Sequence, residues 1–463
     1  MDLKTLEESI ERAELRDGAT LSFHHHLRNG DAVLNGVLAA CAARGLRGLH
    51  VAASSIFPVH APLVDHIQEG VVGQISTGFV SGPVAQAISH GMLPGVVRLQ
   101  THGGRAREID EGELVIDAAF VAASSVDHAG NLSGRVGPRA FGAMGYPQSD
   151  VRAAHWVTGV TDHLSPTVVA DVSALHVNHV AQVDQIGDPS GISSGTTRPA
   201  TDNVSQAIGE MAARVIAHSG VLRSGFNFQT GAGGVSLVAA RAVGCEMARL
   251  GIQGGFASGG ITGTGVDLLL AGLFTHLRDV QCFDLAAVRS IQNNRRHQMM
   301  SAAEYAGPHV DNTVNELSAV ILGAAEVDLG FNVNVTTRAD GVLIGGSGGH
   351  ADTAEGADLT VITTRLCAAG FAKIVPKVGC VTTPGQHVDV VVTEAGVAVH
   401  PDRVELAARL RVAGVPVVTI EDLYRCADSQ ASQQRPRLEE ARIVAESFDR
   451  HGTLRDVVRA VVR

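Results

Sequence analysis

The chain has 463 residues, 45% hydrophobic and only 18% charged, enough for two or three domains with well-filled cores. Its 36 basic and 47 acidic residues leave a net charge of -11, which gives no overall attraction to nucleic acid and disfavours anionic membrane surfaces. Fifty-three glycines with 4% aromatics fit an α/β protein with many tight strand-to-helix turns rather than a β-sandwich.

The opening MDLKTLEESIERAELRDG is charged and helix-like and lacks the apolar stretch of a secretory signal. No later apolar run approaches membrane-spanning length, so a cytoplasmic protein is expected. The cysteines, Cys41, Cys245, Cys282, Cys367, Cys380 and Cys426, form no CxxC pair; reduced thiols are expected and a metal site is not.

After Phe23 come His24, His25 and His26, then Leu27, Arg28, Asn29, Gly30 and Asp31. Strand geometry alternates three consecutive side chains, which argues against metal binding by the trio alone. Either the histidines hydrogen-bond locally or, with Arg28, they recognise an anion; His25, His26 and Arg28 are substrate-binding candidates. An apolar helix with Val33, Val37 and Cys41 follows. THGGRARE, Thr101 to Glu108, reads as a loop whose Arg105 and Arg107 can grip a carboxylate through a guanidinium fork, or as a solvated turn.

The polar segment GISSGTTRPATDN, Gly191 to Asn203, marks the boundary between a first domain, 1–198, and a second, 199–463. FQTGAGG follows at Phe228 to Gly234, and Val235, Ala239, Val243, Met247 and Leu250 then recur at helical spacing. Gly231, Gly233 and Gly234 therefore place bare amides at a helix N-terminus, an anion cradle, without the GxGxxG or GK[ST] of nucleotide loops. Glu326 and Asp328 share one strand face, with Asn332 and Asn334 likewise two apart. GGSGG, Gly345 to Gly349, leads into His350 and Asp352, either a second amide-lined turn or a plain glycine turn with an aspartate cap. There is no GxSxG elbow.

Landmarks repeat along the chain. Phe23 and Phe228 are 205 apart (228 − 23), as are LHVAASS at Leu49 and GGFASGG at Gly254 (254 − 49). SSVDHAGN and AEVDLGFN align Asp127 with Asp328 and Asn131 with Asn332 at 201, and HVAQVDQIG with HVDVVVTEAG at 208 (387 − 179). β-branched runs such as VVVTEAGVAV and VPVVTI alternate with helices throughout. The expected fold is α/β, two tandem open, mostly parallel sheets covered by helices. Ligands then bind outside the carboxyl ends of the strands, where the glycine turns lie. Because Ser125 replaces Glu326 in the first copy, Asp328 reads as a structural turn residue and Glu326 as special to the second half.

FHHHLRNGD, VDQIGDPSGISSGTTR, FQTGAGG, FASGGITG, DVQCFDL, FNVNVTT, GGSGGHADT and VTTPG, in this order, resemble the alpha subunit family of citrate lyase, within the CoA-transferase-like superfamily. The resemblance covers nearly the whole chain and implies two similar α/β halves. It implies a cytoplasmic transferase that exchanges acetyl for citryl on a carrier-protein or CoA thioester, through a mixed anhydride in a ternary complex. No cofactor is held tightly; acyl-CoA, or the phosphoribosyl-dephospho-CoA group of a carrier, is the substrate. Implied partners are citrate, acetate, a citryl-lyase beta subunit and a gamma acyl-carrier subunit, in an oligomer, with no nucleic acid or membrane. An alternative is a transferase for citramalate or another small acid using free acyl-CoA; a scaffold with vestigial catalysis is a third.

On this reading Gly231, Gly233 and Gly234 supply an oxyanion hole and Glu326 is the fallback nucleophile. His25, His26, Arg28, Arg105, Asn332 and Asn334 hold the acid, and Gly259, Gly260, Gly345, Gly346, Gly348, Gly349 and His350 flank the thioester. Related transferases use a catalytic glutamate near an early strand of the second half; here that tip reads Phe256, Ala257, Ser258, Gly259, Gly260, without a carboxylate.

Overall fold

Apolar runs with no polar alternation form the centre of the fold. AAFVAA, Ala118–Ala123, is buried at every position, as a parallel strand covered on both faces must be. The structure is a computed structural model describing residues 5–193, 197–435 and 441–461. It contains two nine-stranded sheets.

In the first half the parallel strands are β1 (Thr20–Phe23), β2 (Leu49–Ala53), β3 (Val72–Thr77), β4 (Val97–Leu99), β5 (Ala118–Ala123), β6 (Trp156–Thr161) and β7 (His179–Gln182). In the second half they are β8 (Phe228–Thr230), β9 (Gly254–Ile261), β10 (Phe274–Cys282), β11 (His297–Met299), β12 (Ala319–Gly323), β13 (Thr360–Thr363) and β14 (Val390–Thr393). The orders are 7-6-5-1-2-3-4 and 14-13-12-8-9-10-11, the same path traced twice. The duplication read from the sequence is therefore a duplication of topology.

Each sheet is then extended at one edge. β15 (Gly396–Val399) and β16 (Val417–Val418) follow β14. The hairpin β17 (Ile443–Phe448) and β18 (Leu454–Arg459) returns to the first sheet, β17 lying parallel to β4. The unit expected at 199–463 thus gives its last two strands to the other sheet.

The turn after β5 recurs after β12 with the same chemistry. Asp127 Oδ1 accepts the Asn131 amide at 3.0 Å, and Asp328 Oδ1 accepts that of Asn332 at 3.0 Å. The fourth landmark pair shifts, however. Short 3-10 turns at Ala174–His176 and Gly385–His387 precede β7 and β14, an offset of 211 (387 − 176), so His176 rather than His179 matches His387.

The helices used below are α1 (Leu6–Arg12), α2 (Val33–Ala43), α3 (His102–Asp110), α4 (Asn203–Ser219), α5 (Gly234–Leu250) and α6 (His350–Gly356). α1 and α2 fall where the sequence placed them. α3 does not: THGGRARE is helical, its first turn capped by the Thr101 hydroxyl, which accepts the Gly104 amide at 2.9 Å. Gly103 is required there, because a Cβ would lie 2.1 Å from the Ala306 carbonyl. No described helix is long and apolar enough to cross a membrane.

Arg105 is consequently a core residue. Its guanidinium donates to both Asp150 oxygens, at 3.0 and 2.6 Å, and to Ser22 Oγ at 2.9 Å. Burial alone would raise the Asp150 carboxyl, but Arg105 and His24 hold its pKa below the ordinary range. Asp150→Ala leaves that guanidinium buried and unpaired and is expected to cost about 3–5 kcal/mol in urea unfolding; a loss under about 1 kcal/mol would show the pair to be dispensable.

Candidate functional site

The strand ends of the two sheets face each other across a cleft of about 520 Å³. The first half contributes Phe79 beyond β3, His102 at the start of α3, and Tyr146. The second contributes Gln229 to Gly233 at the end of β8, Gly260 on β9, Phe283, Tyr305, Gly323 to Ala325 after β12, and Gly346, Ser347, Gly349 and His350. β8 and β12 are neighbours whose following connections run to opposite sides, the switch point at which α/β sheets bind ligands.

The FQTGAGG turn ends at a helix N-terminus, as the sequence suggested. Gly233 caps α5 in extended backbone, φ -73° and ψ 151°, so the amides of its first turn point away from the helix body. Gly231 cannot serve, because its N–H is donated to the Ile321 carbonyl at 2.7 Å. The amides of Ala232, Gly233 and Gly234 make no hydrogen bond among the described residues.

GGSGG is first of all a seam. The Gly348 amide donates to the Gly78 carbonyl at 3.0 Å, and the His102 amide donates to the Gly348 carbonyl at 2.9 Å, so β-like pairing joins the halves. A Cβ on Gly346 would stand 2.5 Å from the Gly78 carbonyl, and one on Gly349 2.4 Å from the Tyr305 hydroxyl. Gly345 closes onto Val335 and Phe79. On β9, Gly259 has φ +106° beside the Gln229 side chain, and Gly260 leaves room for the Phe283 ring.

The remaining candidates divide by position. His350 is fixed from both ring nitrogens, with Nε2 donating to the Gly323 carbonyl at 2.9 Å and Nδ1 accepting from Thr383 Oγ1 at 2.8 Å. His25 lies behind the wall, Nδ1 2.5 Å from Ser54 Oγ and its ring 4.7 Å from that of Tyr146. His26 is in the interior, stacked on Phe141 at 5.0 Å. Arg28 lies behind the cleft wall, its guanidinium 4.2 Å from the centre of the Phe283 ring that lines it, and burial lowers its pKa only to about 10, so it stays charged.

Arg105, Asn332 and Asn334 lie outside the cleft lining. Asn332 braces Asp328, and Asn334 donates to Glu326 Oε2 at 2.9 Å. Glu326 is also held by Arg435, 2.8 Å away, and by the Gly379 amide at 3.1 Å. These contacts clamp the carboxylate as a structural ion. Asp352 is not a cap; buried in α6, it accepts the Gly103 amide at 2.9 Å and is raised to about 7 by burial.

The sequence reading passed over His102, Tyr146, Gln229 and Tyr305. Gln229 donates to the Tyr305 hydroxyl at 2.7 Å and accepts from Ser258 at 3.1 Å, a polar floor whose only sequence signal was its place inside FQTG. Burial, helped by Arg105, lowers His102 to about 3, and burial lowers His350 to about 4. Burial raises both tyrosines far above neutrality. No aspartate, glutamate, lysine or arginine is among the described lining residues, so the cleft wall is neutral at pH 7.

Asp279, Cys282 and His297 bring three ligand-type atoms within 4.8 Å. Yet Asp279 already accepts from His297 at 3.0 Å, Cys282 at 3.0 Å, and the amides of Ile261 at 3.2 Å and Gln281 at 3.0 Å. Four donors saturate the carboxylate as it stands.

With this geometry in place, comparison decides the family: the family model of the citrate lyase alpha subunit matches residues 2–461. The chain belongs to the citrate lyase alpha subunit family. It is 42% identical over 460 residues to the citrate lyase alpha chain of Klebsiella pneumoniae, covering 99% of this chain and 91% of that one. It superposes on a Streptococcus mutans structure described as the alpha subunit of citrate lyase in complex with citrate, with TM-score 0.97 and 41% identity, covering 100% of this chain and 91% of that one. A 4-hydroxybutyrate CoA-transferase from Porphyromonas gingivalis shares the fold, with TM-score 0.59 and 15% identity over 92% of this chain and 96% of that one. As a citrate lyase alpha subunit, the chain is one component of a multi-subunit enzyme with a CoA-transferase-like fold.

The histidines around this cleft should make the protein acid-sensitive. Folding lowers His24 to about 4 and His102 to about 3, and lowers His25 and His26 well below 6.5, burial being the main cause in each. Between the folded and unfolded values the unfolded chain binds more protons, so their contribution is complete above pH 6.5 and is lost as pH falls toward 4. Unfolding free energy from urea titrations is expected to drop by several kcal/mol across that window; a flat profile would contradict the assignment.

Proposed function

We propose that the cleft exchanges the acyl group of a thioester, with citrate as the acid and acetyl as the group released. A citrate carboxylate oxygen attacks the acetyl thioester carbonyl, expelling thiolate and forming a mixed citryl–acetyl anhydride. The same thiolate then attacks the citryl carbonyl, giving citryl thioester and acetate. The thioester is carried by CoA or by the CoA-derived arm of a partner carrier subunit, and a separate lyase subunit consumes the product.

One observation carries this reading: the cleft combines unspent backbone amides with a wall that has no carboxylate. Both tetrahedral intermediates place negative charge on a carbonyl oxygen. The helix N-terminus at Ala232 to Gly234 stabilises that charge without itself being consumed. A neutral wall leaves those dipoles unopposed, since no acidic side chain lines the cleft. With no carboxylate facing the cleft, the attacking oxygen is the substrate's own, and both reactants must be bound together. Arg28 behind Phe283 adds a long-range attraction for a polyanionic acid.

Gly233 permits a clean test. Its φ of -73° is a proline angle, and a Cβ meets nothing closer than 4.0 Å. Gly233→Ala keeps the amide and is expected to keep kcat within about threefold; Gly233→Pro replaces the N–H by a ring carbon and is expected to lower kcat by about 10²–10³. Formation of citryl-CoA from acetyl-CoA and citrate is the assay, with citramalate as a second acid. Equal rates for the two variants would remove the amide from the mechanism. Glu326→Gln is expected to retain transfer within about tenfold, whereas loss of an enzyme nucleophile would abolish it.

A further inference from the structure

Beside the cleft lies a second cavity of about 400 Å³ that shares two wall residues with it, Ala325 and Ile344. Its lining is otherwise mostly apolar, with four charged side chains, Glu326, Arg338, Asp340 and Lys373. Three of these are already matched. Glu326 pairs with Arg435 at 2.8 Å, and Asp340 pairs with Arg338 at 2.7 Å.

Lys373 is the remainder. Its backbone is pinned, the amide donating to the Leu366 carbonyl and the carbonyl accepting from Val327, each at 2.8 Å. The side chain lines the cavity, half-buried, and its ammonium makes no hydrogen bond or ion pair within 4.0 Å among the described residues. Burial lowers its pKa, and the Glu326 charge opposes that. The choice of residue is also unusual for this chain, whose lysines are only Lys4, Lys373 and Lys377 against thirty-three arginines. A compact ammonium on a flexible stem binds a single oxygen anion, where the planar guanidinium used elsewhere demands a fork-shaped partner.

Resting on the acyl-exchange reading, we propose that Lys373 binds an anionic oxygen group, a carboxylate or a phosphate ester, on a reactant whose acyl end occupies the cleft. The geometry accounts for what the cleft lacks. Its own wall has no cation, whereas every reactant of the proposed exchange is an anion, and the adjoining cavity supplies one uncompensated positive charge in a partly desolvated setting. The apolar walls between the two suit the uncharged stretch that links the acyl end to the anionic group.

Steady-state kinetics with acetyl-CoA and citrate test this, comparing wild type with Lys373→Met, which keeps the stem length, and Lys373→Arg. The loss is expected in KM rather than kcat, by about tenfold or more for one substrate, since a charge-assisted hydrogen bond contributes about 1.5–3 kcal/mol. A raised KM for citrate identifies the carboxylate; a raised KM for acetyl-CoA, absent with the phosphate-free S-acetylpantetheine, identifies the phosphate. Partial recovery in Lys373→Arg is expected, and thermal melts show whether each variant is folded. If both KM values stay within twofold of wild type, the assignment is overturned. Should the wild type catalyse no exchange, the function reading fails separately, and calorimetric titration with citrate and with CoA still decides: Lys373→Met must weaken one of them, and unchanged or undetectable binding overturns the site.

Discussion

The structure depends on a seam in which backbone meets backbone between two copies of one sheet. Gly348 donates to Gly78 and accepts from His102, at 3.0 and 2.9 Å, tying the turns after β3 and β4 to the turn that precedes α6. A Cβ on Gly346 would collide with the Gly78 carbonyl across the seam. The glycines therefore act through what they lack, letting one half close over the other so that His102 and Tyr146 share a cavity with Gln229 and the start of α5.

That closure determines the electrostatics. Two ion pairs lie behind the cleft wall, Arg105 with Asp150 and Glu326 with Arg435. The histidines around the cleft are buried, which holds them neutral well below pH 6.5. What remains at the wall is a set of dipoles: amides of a helix N-terminus, a carboxamide, hydroxyls and imidazoles. Such groups favour an oxyanion wherever it forms, and none of them is a carboxylate. The chemistry we propose fits that inventory: the reacting carboxylate arrives with the substrate.

Much of this was legible in the residues. Uniform apolar strands, glycine turns and landmarks recurring near 200 residues were enough to describe two parallel sheets, because backbone geometry and burial leave local marks. The Asp–Asn turns were legible for the same reason, their hydrogen bonds spanning four residues. What escaped depends on distant contacts. Arg105 looked like an exposed carboxylate grip and is a core cation, because Asp150 lies 45 positions away; Gly231 looked like an oxyanion donor and is spent on Ile321. The return of β17 and β18 to the first sheet leaves no local trace either. His102 and Gln229 stood inside noticed motifs, yet only the meeting of the halves makes them part of a site.

The central claim is that no side chain of the protein carries the acyl group. Citrate labelled with ¹⁸O in its carboxylates, mixed with acetyl thioester for a single turnover, addresses it directly. Direct attack is expected to deliver one ¹⁸O atom to the released acetate and to leave the protein unlabelled. Unlabelled acetate, with ¹⁸O recovered in a glutamate or aspartate of the chain, would contradict it.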